Sequence, residues 1–363
     1  MLRAVSVKNF RNLNIPKLEL SPGCTILLGG NGQGKTNILE AIYFLSYGKS
    51  FRGPTAQAIN WREEEARIFG LTDSSRIEVI IRKNKENRIH INDKPKNLPS
   101  LLGHFVSVVF HPQAIEIVFG PPALRRTWLD RLIATIDKKY LYALINYQRA
   151  LLNKNKLLRT AAFKAVEVEV WNKNLSFYGT IIWKVRERTV SALNQALKPL
   201  AVRLIGRQVF IEYENPLFGK DEKVGAGFYL KSLLSQQELE RRFMATLFGP
   251  HRDDFKIIAE EESEKNILQK DLADFGSRAE QRQAALLLKF SEARLFTEFF
   301  GKTPTLLLDD IASELDPQNR QLLLKNLPAG QIIITTTNPG SLPESIRSKS
   351  ETLTVEKGMV EPG

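Results

Sequence analysis

Residues Gly29-Gly30-Asn31-Gly32-Gln33-Gly34-Lys35-Thr36 constrain this chain more than any other stretch. They fit G-x-x-x-x-G-K-[ST], a loop whose backbone N–H groups cradle phosphates. Such a loop needs a buried strand before it and a helix after it. Cys24-Thr25-Ile26-Leu27-Leu28 reads as that strand, and residues 37–45 carry apolar side chains at helical spacing. The glycines let successive N–H groups turn toward one anion, and the helix N-terminus adds partial positive charge behind it. Lys35 is expected to reach the β- and γ-phosphates, and the Thr36 hydroxyl to sit on Mg²⁺. A glycine-rich turn with a chance lysine is the bland alternative, and the strand and helix on either side weigh against it.

A second half for this site lies far along the chain. Thr305-Leu306-Leu307-Leu308 is an apolar strand ending in Asp309-Asp310. Asp309 suits a Mg²⁺-holding carboxylate, and Asp310 stands where a general base would orient an attacking water. Ser277 opens a helix in Gly276-Ser277-Arg278-Ala279-Glu280-Gln281. A serine there is either an anion contact or an ordinary N-cap.

The remaining pattern is α/β at both ends with a largely helical middle. Residues 2–9 and 15–20 read as strands leading into the phosphate-loop strand; 66–71, 76–82 and 87–92 read as a meander, and 105–110 as one more strand. Helical spacing runs over 124–159, over 163–199 and over 230–247, with strand-bearing stretches at 206–213 and 253–269. A helix over 278–300, a helix over 316–327, a strand at 331–336 and an edge strand at 351–355 complete the chain. Expected is one nucleotide-binding lobe from residues 1–111 and 301–363, interrupted by an insertion over 112–300.

Lys and Arg total 52 against 40 Asp and Glu, a surplus of +12 that suits a polyanionic partner such as nucleic acid. Arg11, Lys49, Arg52, Arg125 and Arg126 are the candidate DNA contacts, each equally able to be a solvated surface charge. The single cysteine, Cys24, excludes an intrachain disulfide and fits a reducing cytoplasm. No apolar run approaches a membrane span. The four histidines show no metal-ligand spacing.

The order of these motifs resembles the ABC-type ATPases and, within them, the RecF family. The carrying residues are Val7-Lys8-Asn9-Phe10-Arg11-Asn12, Gly30 through Asn37, Glu40-Ala41-Ile42-Tyr43 and Lys49-Ser50-Phe51-Arg52, together with Gly249-Pro250-His251-Arg252-Asp253-Asp254-Phe255 and Asp309-Asp310-Ile311-Ala312-Ser313-Glu314-Leu315-Asp316. The resemblance implies an ABC head, with a mixed sheet around the phosphate-loop helix and a helical second lobe, lacking the long coiled coil of SMC proteins. It implies that two subunits sandwich two ATP molecules with Mg²⁺, with residues 29–37 holding each nucleotide. Ser277 would then contact the γ-phosphate of the other subunit, Asp316 would help join the halves, and Thr336 would take the place of the transporters' switch histidine. Gln113 falls where a Mg²⁺- or water-contacting glutamine would lie. It further implies an ATP-dependent homodimer that binds double-stranded DNA or junctions, hydrolyses ATP slowly, works with RecR and RecO, and helps load RecA at gaps. Ala279 replaces the usual glycine of the serine motif, and Asp310 the glutamate of transporters.

His251-Arg252-Asp253 and Asp274-Phe275-Gly276 imitate protein-kinase motifs. The imitation fails because Ile258 stands where a kinase needs asparagine. His251 is instead expected to be a hydrogen-bonded interior residue. Two other readings share the phosphate loop: the ATPase subunit of a membrane transporter and a monomeric small-molecule kinase. The first lacks its switch histidine; the second gives no reason for Ser313-Glu314-Leu315-Asp316.

Overall fold

The computed structural model describes residues 1–160, 165–215, 225–262, 267–310 and 317–362. The chain divides into two compact units, Met1–Ala114 with Leu288–Gly363, and Ile115–Leu287.

The first unit opens with β1 (Leu2–Phe10), β2 (Leu13–Glu19), β3 (Cys24–Leu28) and α1 (Lys35–Tyr47). Then follow β4 (Glu65–Thr72), β5 (Arg76–Arg82), β6 (Arg88–Ile91), β7 (Lys94–Lys96), α2 (Leu98–Leu101) and β8 (Ser107–Phe110). An antiparallel sheet runs β2-β1-β4-β5-β6-β7. Alternation sets its faces: Ala66, Ile68 and Thr72 of β4 are buried, with more exposed residues between them. β1 and β2 belong to this sheet, whereas β3 belongs to a second one. α1 packs against β1, β4 and β5 of the first sheet and against β8 and β13 of the second. Sheet on both sides explains why α1 is apolar almost all round and not striped.

The second unit holds α3 (Glu116–Phe119), α4 (Pro122–Ile136), α5 (Lys138–Leu158), α6 (Ala165–Ile205), β9 (Val209–Glu214), α7 (Ala226–Ser235), α8 (Gln237–Phe243), β10 (Asp254–Glu262) and β11 (Ile267–Asp271). The expected helix over 124–159 is two helices, because the Asp137 carboxylate caps α5 through the N–H groups of Lys139 (2.8 Å) and Tyr140 (3.0 Å). α6 does not stop at Pro199 but continues to Ile205. Leu197 and Ala201, on either side of the proline, are fully buried, and that packing offsets the lost backbone bond. The expected helix over 230–247 is likewise split, at Gln236.

α9 (Arg278–Phe300) begins in the second unit and ends in the first. Its latter half belongs with the first unit, where Phe290 stacks on Phe110 of β8 at 5.4 Å. β12 (Thr305–Leu308), α10 (Pro317–Lys325), β13 (Ile332–Thr336), α11 (Glu344–Arg347), β14 (Ser350–Glu356) and β15 (Met359–Pro362) close the chain. The second sheet runs β15-β14-β3-β13-β12-β8, so both chain ends build it. From β14 to β8 its pairs are parallel; β15 turns back antiparallel. β14 is therefore not the edge strand expected at 351–355. The edge is β15, whose Met-Val-Glu-Pro reads poorly as a strand and whose proline an edge tolerates.

Candidate nucleotide site

The phosphate loop lies between the C-terminal end of β3 and the start of α1, where a parallel sheet presents a ligand crevice. Gly34 caps α1 with φ 114°, in the left-handed region, and a Cβ there would lie 3.0 Å from Leu13 and 3.1 Å from Asn12. Only glycine fits. Gly30, Asn31 and Gly32 form the exposed mouth of the loop. Lys35 is buried and folds back, donating to the carbonyls of Gly29 (2.7 Å) and Gly30 (2.8 Å). Burial lowers its pKa, and the carboxylates of Asp310 and Asp309 oppose that shift.

The acidic pair arrives from β12, flanked by β13 and β8. Thr36 Oγ1 donates to Asp309 Oδ1 at 2.7 Å, and Thr335 Oγ1 to the same oxygen at 3.0 Å. The Asp309 N–H is held by the Phe110 carbonyl at 2.8 Å. Burial raises the Asp309 pKa, and the two threonine hydroxyls draw it back. Asp310 sits at φ 47°, with its N–H on Thr335 Oγ1 at 2.8 Å. A non-glycine residue in that region is a strained placement of the kind found at functional sites.

The oxygen set fits Mg²⁺. A hydroxyl and a carboxylate lie in contact, and among the described residues no cluster of three or more His, Cys, Asp or Glu could hold a metal unaided. Mg²⁺ is bound in just that way, by one or two protein oxygens plus substrate phosphates and water.

A family model described as the RecF/RecN/SMC N terminal domain matches residues 1–361. The DNA replication and repair protein RecF of Caldanaerobacter subterraneus subsp. tengcongensis is 35% identical over 350 residues, 93% of this chain and 94% of that one. The RecF of Clostridium botulinum is 32% identical over 99% of both chains. The chain belongs to the RecF family. A solved structure of the recombination mediator RecF with ATP matches with TM-score 0.90 and 32% identity, covering 100% of this chain and 97% of that one. An Smc head bound to the C-winged helix domain of ScpA matches at TM-score 0.56 with 16% identity, and so shares the ABC-type head fold. RecF relatives along nearly the whole chain leave the transporter reading without support.

Several expected site residues of this RecF-family chain have other occupations. Thr336 ties off its own turn, donating to the Asn338 carbonyl (3.0 Å) and accepting the Asn338 N–H (3.1 Å). Its neighbour Thr335 is the threonine on the acidic pair, because successive residues of β13 face opposite sides of the sheet. Gln33 accepts the Lys357 N–H on Oε1 (2.7 Å) and the Gly358 N–H on its carbonyl (2.9 Å), so its side chain ties the loop to the β14–β15 turn. Asn37 donates to Asn12 Oδ1 (2.7 Å) and accepts from Arg52 (2.5 Å). Gln113 is exposed in the turn after β8, the strand whose Phe110 carbonyl holds Asp309.

Glu40 is the residue whose role sequence reasoning missed. Its side chain is 0% exposed, and it accepts from Arg11 Nε (2.9 Å) and Nη2 (2.8 Å), Ser50 Oγ (2.5 Å) and Arg52. Burial pushes its pKa up, but the donors outweigh it and the net shift is downward. The signal was legible: a carboxylate inside Ile38-Leu39-Glu40-Ala41-Ile42 must be paired if that helix is buried. Arg11 and Arg52, expected on an open basic surface, are instead committed to Glu40 beside the phosphate loop. Arg125 is also corrected: it is buried, bidentate on Asp254 (2.7 and 2.8 Å), and donates to the Gly120 carbonyl. Arg126 donates to the Asp253 carbonyl at 2.7 Å. Lys49 remains exposed.

Ser277 caps α9. Its N–H bonds to Glu280 Oε2 at 2.6 Å, and its Oγ receives the Glu280 N–H at 3.3 Å, a capping box. Arg207 and Lys270 both pair with Glu280. Burial opposes its ionisation, yet the hydrogen bonds from Ser277, Arg207 and Lys270 hold Glu280 down to about 2. Asp316 lies outside the described residues. His251 is a hydrogen-bonded interior residue as expected: Tyr147 lies 2.7 Å from Nδ1, and the Thr246 carbonyl 3.1 Å from Nε2. Carbonyls only accept, so Nε2 carries the proton and Nδ1 accepts from the Tyr147 hydroxyl. Among the described residues no helix is long and apolar enough to cross a membrane.

Proposed function

We propose that this chain is an ATP-dependent DNA-binding protein of recombinational repair, in which ATP closes a homodimer on double-stranded DNA at gaps. The observation that carries the ATP part of this reading is the 2.7 Å contact between Thr36 and Asp309, which brings the two distant halves of the sequence to one point; the DNA part rests on the RecF relatives. The RecF structures solved with ATP and with ATPrS support it.

Lys35 leaves the Gly29 and Gly30 carbonyls for the β- and γ-phosphates, to which a cation bonds more strongly. Thr36 and Asp309 would hold Mg²⁺, which would neutralise phosphate charge. Asp310, fixed by Thr335, orients the attacking water. As a carboxylate on a short arm it makes hydrolysis slow, so the protein acts chiefly as a binding switch. Ser277, at the N-terminus of a long helix, meets the γ-phosphate held by the other subunit. RecR, with RecO, is the protein partner, and RecA the protein loaded.

The test is light scattering with a non-hydrolysable ATP analogue. Wild-type protein should double in mass when the analogue is added. Lys35→Met should bind no nucleotide and remain monomeric. Normal ATP-dependent dimers of Lys35→Met would remove this site from the switch.

A further inference from the structure

Among the described large apolar side chains, Trp61 has the greatest exposed fraction, 81%. A single exposed apolar residue needs no occupant, but an indole this open on a fixed turn is a flat surface that another flat group can cover. Its backbone is not loose. The turn closes by the Glu63 N–H on the Asn60 carbonyl (2.9 Å), and the Arg62 N–H bonds to Asn60 Oδ1 (3.1 Å). Asn60 is pinned to the β1–β2 turn twice, by its N–H on the Asn9 carbonyl (2.8 Å) and its Nδ2 on the Arg11 carbonyl (2.7 Å). Ile59, just before it, bridges Phe10. The Arg62 guanidinium lies over the indole, 4.5 Å from the ring centroid. Arg62 thus covers one side of a flat ring and leaves the rest to solvent, on a turn that loses little freedom when something docks.

We infer that Trp61 and Arg62 form a stacking platform for an unpaired nucleobase, the feature that distinguishes a gap from continuous duplex. This rests on the DNA-binding reading above and deepens it. An indole face backed by a guanidinium offers dispersion and cation–π contact to a base of any identity. The charges around the turn argue against a backbone contact. Glu63 and Arg62 have opposite signs, Glu64 lies 3.4 Å from Lys83, and Glu65 pairs with Arg67 at 2.7 Å. A turn so close to neutral does little to attract phosphates, so what it offers DNA is the ring. The contribution is therefore specific to unpaired bases and insensitive to salt, unlike the phosphate contacts elsewhere. The same β1–β2 turn carries Arg11 to Glu40 and Asn12 to Asn37, which fixes the platform to the frame of the nucleotide site.

The test compares labelled continuous duplex with the same duplex carrying a short thymine gap, by fluorescence anisotropy on the full chain with ATP analogue, over a salt series. Trp61→Ala should weaken binding to the gapped DNA on the order of tenfold at every salt concentration. Binding to continuous duplex and both salt slopes should be unchanged. Trp61→Phe should restore most of the loss, and thermal unfolding should be unaltered because the side chain is exposed. If the wild type binds both DNAs and Trp61→Ala binds the gapped one equally well, the platform is wrong and the DNA reading stands. An equal loss on both DNAs, or weakened binding of a protein partner with DNA unaffected, also overturns it. If the wild type binds no DNA, the DNA reading itself fails and the platform with it.

Discussion

Glu40 shows at the scale of one residue how a charge can be structural beside a site that needs charge. It has no exposed surface, and its two oxygens are shared among Arg11, Ser50 and Arg52. Glu40→Gln keeps the shape but leaves two guanidiniums without a counter-charge. They are 24% and 28% exposed, so water partly compensates. The expected loss is about 2 kcal/mol, read as a lower melting temperature, below the cost of a fully enclosed broken pair. His251 gives a pH prediction. Burial is the main reason its pKa falls from 6.5 to about 4; Arg252, Arg126 and Lys154 push the same way, against the bond to the Thr246 carbonyl. The unfolded chain therefore binds the extra proton first. The contribution is complete above pH 6.5 and is lost as pH falls toward 4, to a limit of about 3 kcal/mol. Wild type should lose more stability than His251→Gln between pH 7 and pH 4.5 in denaturant unfolding. Equal losses would place the acid sensitivity elsewhere. At this scale the phosphate loop and Asp309 were legible, because their spacing has few other uses. Glu40 was legible as a buried carboxylate in need of partners, though not which partners; Thr335 and the occupations of Gln33 and Asn37 were not, because each depends on how distant segments meet.

At the scale of elements, the phosphate loop is held by a hairpin that the sequence barely announces. β14 and β15 meet at Lys357 and Gly358, whose N–H groups take both acceptors of Gln33. Gly358 has φ 81°, and a Cβ there would lie 2.1 Å from the Asn12 carbonyl oxygen. Gly358→Ala should therefore lift the turn from Gln33 and loosen the loop without unfolding the sheet, since β15 is an edge strand. A several-fold loss of ATP affinity is expected by calorimetry, with the circular dichroism spectrum retained. Unchanged affinity would mean that the loop holds its form unaided. The elements themselves were largely readable from apolar spacing. The misses have separate causes: a local cap, tertiary burial and an open sheet edge. Asp137 capped a new helix inside an unbroken helical pattern. Pro199 was carried through by burial on both sides. β15 formed because β14 offered an open edge, not because its own residues favour a strand.

At the scale of the whole molecule the proposed function asks how a monovalent event, one ATP in one loop, would become a grip on DNA. A ligand bound only by the closed dimer adds roughly 2.7 kcal/mol to that state at one hundred times its dissociation constant. That suffices to drive a weak self-association. In the proposed dimer the surplus of +12 would oppose closure without DNA and favour it on DNA, whose phosphates would neutralise both copies at once. The proposed link between copies is Ser277. Its present bonds need not break: the capping box uses its N–H and, at 3.3 Å, its oxygen as an acceptor, which leaves the hydroxyl proton to donate to a phosphate. The positive end of α9 adds to that donor, and the charge of the Glu280 carboxylate, which holds the Ser277 N–H, is offset by Arg207 and Lys270. Ser277→Arg fills that position with a long side chain while leaving the phosphate loop of the same copy untouched. The variant should bind ATP with wild-type affinity, stay monomeric in light scattering with the analogue, and lose ATP-dependent duplex binding. Ser277→Ala should fall between, since it keeps the positive helix end and loses one hydroxyl. Dimers of Ser277→Arg equal to wild type would mean that closure does not pass through this serine, and the joining contact would have to be sought on another face.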